Sequence, residues 1–482
     1  VIPALVFLGA LLLLIQCGFR YVRASPGPPR PLLPSLALAH LCGSAALGGW
    51  ITLALNSSHP ERLWAPTAMV FLGLSLLCLA RTGRRPASPE PDPSLAAPPP
   101  EPPLSLPERL LLGIILIGLA TAFARVILLP LDWDGWAIWQ FKAKALSTGT
   151  LRPLLTAPEF RYSHPDYPLL VPAHTWWLSG GDFHEKAAQA GGFLFFLDLL
   201  ALFFYEARER AGRTLALLGC AVLVSLAPMV KHASSGYADV PMAAFAFATM
   251  ACLARGDLWT ACPLLAGALL TKNEGLFTFG AALLTAGFLA AGPKRPDGTT
   301  PAARFSGPVL VTVTGLTALG AWSVIKRRWG LYSDMLDPHQ WSPHLLSLLP
   351  GRMGVIAGGF LREALSVGPR YPGWGALWLL APVGMVLSFR RKLAETVPFW
   401  LLVGVQFAGA AAAYLVTATD AGLHLSRSLD RLCLHVAPAA LLATLIAFRP
   451  EPERNESGAP SRPPGDAAGS IAGDSPQGRP EA

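Results

Sequence analysis

The sequence predicts an all-α integral membrane protein, a polytopic helical bundle of about 13 transmembrane helices, on three observations. Of 482 residues, 52% are hydrophobic and 14% charged, against about 25% charged in an ordinary soluble protein. Apolar runs of roughly 17 to 25 residues, long enough to cross a hydrocarbon core of about 30 Å as helices, recur along most of the chain. Lys and Arg fall largely in short clusters between those runs, as the positive-inside rule requires. The net charge of +8 therefore reports topology, and no nucleic-acid face is expected. The seven cysteines (Cys17, Cys42, Cys78, Cys220, Cys252, Cys262, Cys433) sit mainly in apolar runs without CxxC spacing. That pattern argues against a disulfide framework or zinc site and for small buried residues.

Apolar runs near 1–19, 32–55 and 63–80 form a three-span N-terminal preface, residues 1–85. No basic region precedes the first run, so a cleavable signal peptide is not expected. Arg20, Arg23 and Arg30, then Arg81, Arg84 and Arg85, mark the cytoplasmic turns. Residues 86–107 are too rich in proline for helix or sheet and read as an extended cytoplasmic linker. The main body, 108–448, opens with a run that ends near Leu131 and travels outward. A long first outer loop to about Lys186 follows, too aromatic to be disordered and therefore read as functional, carrying interfacial helices. Spans near 191–205, 213–230, 240–254, 258–270, 276–292 and 306–325 come next, with inside turns at Glu206–Arg213, Arg255 and Lys294–Arg304. A second outer loop, about 326–372, precedes spans near 374–389, 398–416 and 431–448; Arg390-Arg-Lys392 lies inside. The tail, 449–482, is expected to be disordered and cytoplasmic. Lys326-Arg-Arg328 falls outside, either as a plain violation of the rule or as a site for an anionic headgroup or phosphate.

This topology sorts the chemistry by side. Asp132, Asp134, His164, Asp166, Tyr167, His174, Lys231, His232, Tyr237, Asp239, Lys272, Glu274, Asp334, Asp337, His339, His424, Arg427 and Arg431 all come out extracytoplasmic, whereas cytoplasmic turns carry mostly arginine. Carboxylates, imidazoles and lysines gathered on one face point to chemistry in a cleft between loops and helix ends.

The stretch Leu131 to Leu146 is its expected lip. Asp132 and Asp134 stand where membrane meets water, and a helix from Gly135 would carry Trp136, Ile138, Trp139 and Phe141 at headgroup depth. Lys142 would lie about 12 Å beyond Asp134 along that helix, too far for an ion pair but suited to a phosphate at the far end of a substrate. A blander account is that Asp134 caps the helix and the lysines snorkel. Three companions weigh against it. His164-Pro-Asp-Tyr-Pro168 is proline-stiffened and presents His164 and Tyr167 in fixed directions. Ser235-Gly-Tyr-Ala-Asp-Val-Pro241 puts Asp239 where a span enters the membrane, costly unless used or paired. Thr271-Lys-Asn-Glu-Gly275 sets Lys272 and Glu274 between two short apolar runs.

In that order, and followed by His424-Leu-Ser-Arg-Ser-Leu-Asp-Arg-Leu432 and Pro438, these motifs resemble the GT-C membrane glycosyltransferases, polytopic enzymes related to protein O-mannosyltransferases and lipid A aminoarabinose transferases. The resemblance covers about 108–448. It implies a GT-C-like fold in the inner or plasma membrane of a bacterium, and transfer of a sugar from a polyprenyl-phosphate donor on the extracytoplasmic face. The acceptor would be a hydroxyl of a glycan, lipid or protein. The family's essential outer-loop acid matches Asp132 and Asp134, with Asp239 the third candidate catalytic residue. A carboxylate in reach can take the acceptor's proton as it attacks. The leaving lipid phosphate needs cationic partners, for which Lys142, Lys231, Lys272, Arg427 and Arg431 are the candidates. Trp136, His164, Tyr167, His232, Tyr237 and Glu274 are the substrate-binding candidates. No cofactor is required; Asp132, Asp134, Asp239 and Glu274 could hold one divalent cation, but the spacing diagnostic of a hard-cation loop is absent. A transporter or lipid-linked sugar flippase is the alternative, expected to show an inverted repeat and ionisable groups near the midplane; no such repeat is visible.

Overall fold

The helices begin and end where local chemistry dictates. A computed structural model describes residues 2–25, 30–55, 63–82, 102–292, 301–333, 343–365, 367–368, 371–417 and 420–450. The N-terminal part comprises α1 (Ile2–Ala24), α2 (Leu32–Ala54) and α3 (Trp64–Thr82). Helix α4 (Leu106–Leu128) carries Pro107 in its first turn, with the Glu108 carboxylate accepting from the Ser105 N–H at 2.8 Å, a capping box that satisfies an otherwise orphaned donor. The segment between α4 and the next long helix holds a π-helix (Gly135–Gln140), α5 (Phe141–Ser147), α6 (Leu151–Thr156) and α7 (Leu170–Leu178). Then come α8 (Glu185–Ala211), α9 (Arg213–Ser225), α10 (Ala227–His232), α11 (Asp239–Ala254), α12 (Leu258–Thr271), α13 (Gly275–Ala291) and α14 (Pro301–Trp329). After α15 (Pro343–Leu365) and a two-residue antiparallel ladder pairing Val367–Gly368 with Tyr371–Pro372, α16 (Leu377–Arg390), α17 (Val397–Val416) and α18 (Ala421–Phe448) complete the bundle.

Among the described residues, seven helices are long and apolar enough to cross a membrane: α1, α2, α4, α8, α14, α17 and α18. Six shorter apolar helices lie in α3, α9, α11, α12, α13 and α16. Buried α11 and largely buried α18 form the middle of the bundle. By contrast α4 turns Leu110, Ile117, Phe123 and Leu128 outward. Apolar side chains covering whole flanks in this way suit a hydrocarbon surround.

The three N-terminal helices pack onto the body. Helix α2 lies against α1, α7, α8 and α12, within one compact unit over Val1–Phe448. Most of the proline-rich linker, 83–101, lies outside the described residues, as do Asp334, Asp337 and His339. The second outer loop is not the open loop the sequence suggests. Its Pro343–Leu365 stretch is helix α15, packed against α17 and α18, and Gly and Pro within it obscured the periodicity.

Helices α1 and α2 meet backbone to backbone. A Cβ at Gly18 would fall on the Ala39 carbonyl, and one at Gly43 on the Leu14 carbonyl, the close approach that small residues permit between apolar helices. Gly43→Ala should therefore cost about 1–3 kcal/mol in thermal unfolding of the nanodisc-embedded protein. Gly49→Ala, with nothing within 4 Å of an added Cβ, should leave the melting temperature unchanged; equal effects of the two would refute the close contact.

Candidate functional site

At one end of the bundle the ion pairs are structural. Arg213 clamps Glu108 at 2.9 Å, Glu206 receives Arg210 at 3.1 Å and Arg255 at 2.6 Å, and Arg30 meets Asp257 at 2.8 Å. These residues belong to the turns that the sequence placed inside. The lip and its companions assemble at the other helix ends.

The lip is welded to its neighbours through backbone groups. The Leu131 N–H donates to Glu185, Lys186 donates to the carbonyls of Val126 and Leu129, and Gln140 donates to the Gly236 carbonyl at 2.9 Å. Gly135 abuts the Ser235 carbonyl where a Cβ would collide, and Gly236 sits at φ +76°, a conformation that glycine adopts freely. A π-helical turn then follows, a form that recurs at functional sites. Of the expected interfacial tryptophans, Trp139 is buried and Trp136 is 40% exposed, while Trp133 is 79% exposed.

Both lip acids have cationic partners. Arg431 Nη1 donates to Asp134 Oδ2 at 2.6 Å, joining the lip to α18. The Asp134 N–H donates to Tyr237 Oη at 3.3 Å. Lys231 Nζ stands 3.5 Å from Asp132 Oδ2, with both side chains about half exposed. Burial, then the carboxylates of Asp134 and Asp132, pushes the Tyr237 phenol above its ordinary range, so it stays protonated.

Behind this layer lies a buried network. Asp239 Oδ1 accepts from Lys272 Nζ at 2.9 Å and lies 2.9 Å from His435 Nε2; Lys272 Nζ is also 3.0 Å from Glu274 Oε1. With Asp239 ionised, Nε2 of His435 carries the proton, and its Nδ1 faces the Gln406 amide nitrogen at 3.3 Å. Burial works against the Lys272 ammonium, yet Asp239 and Glu274 outweigh it and hold its pKa above the ordinary lysine value. Glu274 shows the mirror case: burial favours its acid form, and the Lys272 ammonium outweighs burial and holds its pKa below the ordinary glutamate value. Asp239 Oδ2 and Glu274 Oε2 are buried with no hydrogen-bond partner among the described residues.

The second wall is the His164–Pro168 segment. His164 takes a left-handed φ of 48° and stacks on Tyr167, which in turn stacks on Trp139. Lys142 is completely buried there, donating to the His164 carbonyl at 2.6 Å and lying over the Trp139 and Tyr167 rings. Its ammonium is therefore enclosed by protein where the sequence suggested a phosphate ligand. Asp166 receives Asn273 and Ser333, each at 2.9 Å, tying the wall to the Lys272 turn and the end of α14. Arg427 stays exposed one turn before Arg431. His232 is buried against Tyr237. His174 leaves the group altogether and bonds to His40 in the N-terminal part.

Sequence reasoning missed His435, a lone imidazole in an apolar run. Its signal was its location, since ionisable residues inside spans are seldom idle. No group of described His, Cys, Asp and Glu residues is arranged to hold a metal ion. No family model, curated protein or solved structure matches the chain.

Burial holds the His232 pKa down at about 3, whereas the unfolded chain would titrate near 6.5. Below pH ~6.5 the unfolded state binds a proton the buried ring refuses, so stability falls as pH drops from about 6.5 towards 3. Thermal unfolding across that range should be less acid-sensitive in His232→Phe than in the wild type. An unchanged pH slope would remove His232 as the cause.

Proposed function

We propose that the chain is a GT-C-like membrane glycosyltransferase that moves a sugar from a polyprenyl-phosphate donor to an acceptor hydroxyl on the extracytoplasmic face. The observation that carries the reading is the 2.6 Å bond between Asp134 and Arg431, 297 residues apart, which joins the lip to α18, the helix that also carries His435 of the buried network. Seven helices long and apolar enough to cross a membrane support a multi-pass protein; that the six shorter apolar helices also span, and that the site stands at the membrane surface, are part of this proposal.

In this reading Asp132 takes the proton of the attacking hydroxyl. It is the more accessible acid, and its contact with Lys231 is loose at 3.5 Å. Arg431 and Lys231 meet the charge that develops on the leaving phosphate. Lys272, committed to Asp239 and Glu274, acts by keeping both ionised. The unpartnered oxygens of those two acids are suited to accept from sugar hydroxyls. Attack opposite the phosphate inverts the anomeric carbon and needs no covalent enzyme intermediate. A transporter or flippase is the second reading, favoured by the buried titratable trio His40, Asp198 and His174, the first two on membrane-length helices.

With the full chain in proteoliposomes, release of polyprenyl phosphate from polyprenyl-phosphate hexose or pentose should fall about 10²- to 10⁴-fold in Asp132→Asn. Full activity in both Asp132→Asn and Asp134→Asn would sink the assignment of the base. Movement of the donor across the bilayer without its consumption would favour the transporter.

A further inference from the structure

A second polar group lies between the N-terminal helices and the body, bonded to none of the lip residues. His40 on α2 places Nδ1 2.5 Å from Asp198 Oδ2 on α8 and Nε2 3.1 Å from His174 Nε2 on α7. Phe195 packs against both imidazoles and Phe245 packs on Phe195. Asp198 and His40 form the floor of an open cleft of about 150 Å³ on the flank of the bundle, walled by Leu11, Ile15, Leu33, Leu36, Leu194 and Leu197. The far end of the trio, His174 Nδ1, lies beside Gly191, where an added Cβ would come within 3.1 Å. Gly191 is on the part of α8 that leads up to Glu185 and the lip.

Charged groups on the surrounding helices have settings of their own. Arg30, before α2, is paired with Asp257. On α8 the nearest are Glu185 and Lys186 at one end and Tyr205 and Glu206 at the other. Arg125 on α4 donates to Ser234, while Asp239 on α11 and His435 on α18 bond to each other. Further charged or titratable groups are Arg20, Tyr21 and Arg23 on α1, the tyrosine donating to the Trp259 carbonyl, Glu108 and Arg109 on α4, Arg213 on α9, Lys326, Arg327 and Arg328 at the end of α14, and His424, Arg427, Asp430 and Arg431 on α18, together with the thiols Cys17, Cys42, Cys220, Cys252, Cys262 and Cys433; none has a described hydrogen bond or ion pair to the trio. Helix α7 carries no titratable residue besides His174. The trio must therefore balance its own charge.

We propose that Asp198, His40 and His174 form an intramembrane proton-binding site, loaded from the flank cleft and connected by His174 towards the lip end. With Asp198 ionised and both imidazoles neutral the trio is one negative charge in an apolar setting, which is unfavourable. One added proton makes it neutral. In that loaded form His40 donates Nδ1–H to Asp198 and Nε2–H to His174 Nε2, and His174 carries its proton on Nδ1. Shifting the Nδ1 proton of His40 onto Asp198 leaves the net charge unchanged. Loss of the His174 Nδ1 proton, with the His40 Nε2 proton passing to His174 Nε2, restores the ionised acid and two neutral rings. One proton enters at Asp198 and one leaves at His174.

The test uses the full chain in nanodiscs. Infrared difference spectra from about pH 4 to 10, the range bracketing ordinary carboxyl and imidazole groups, should show one carboxyl and imidazole band set titrating together. That set should be lost in both Asp198→Asn and His40→Gln. Spectra of ¹⁵N-labelled histidine on the unmutated protein give a readout that needs no variant: one imidazole should change protonation in step with the infrared signal. Bands that persist in Asp198→Asn, or no buried histidine or carboxyl titrating in the wild type, would overturn the proposal and leave a fixed structural hydrogen-bond chain.

Discussion

A carboxylate removed from water must receive its counter-charges from the protein, and Asp239 imposes that demand at the centre of the bundle. It is fully buried at the start of α11. Lys272 reaches it from the turn between α12 and α13, His435 from α18, and Gln406 on α17 orients the imidazole. Removing one member of such a set leaves an uncompensated charge, which costs far more than the intact pair contributes. The positions of these four elements are therefore tied to one another at this level, and Arg431, one turn before His435 on α18, is delivered to the lip by the same constraint.

The two ends of the bundle treat their charges differently. Glu108, Glu206 and Asp257 have their acceptor oxygens occupied by arginines and hydroxyls, as expected of ion pairs that lock helix ends. Among the described residues, the lip end leaves Asp239 Oδ2 and Glu274 Oε2 unfilled and keeps Asp132 and Lys231 half exposed. The carboxylates at one end are thus filled, while two buried carboxylate oxygens at the other keep unused acceptor capacity.

Much of this was legible in the sequence. Apolar runs and basic clusters located the principal helices, because burial in hydrocarbon and the charge bias of turns are local, additive signals. Asp-Trp-Asp, Tyr237, Asp239 and the Lys272 turn announced themselves as polar groups at the ends of apolar runs. Lys142 was misjudged because its environment is tertiary: the His164 carbonyl that receives it is exposed by a left-handed turn that no periodicity encodes. His435 and the His40–Asp198–His174 trio depend on contacts across up to 196 residues. Helix α15 was hidden by its own glycines and proline.

The geometry also separates the two lip acids. In an extended strand they would point the same way, and on a regular helix about 200° apart. Here Asp132 lies just before the helical turn and Asp134 within it, so the two carboxylates meet different cations. Asp134 is gripped by a guanidinium at 2.6 Å, so its Oδ2 is already occupied in the resting structure. Asp132 faces a half-exposed lysine at 3.5 Å, and its Oδ2 accepts no hydrogen bond among the described residues. A base needs a lone pair that the resting structure does not already occupy. By that criterion Asp134 is the strut that holds α18 to the lip, and Asp132 is the acid left free to work.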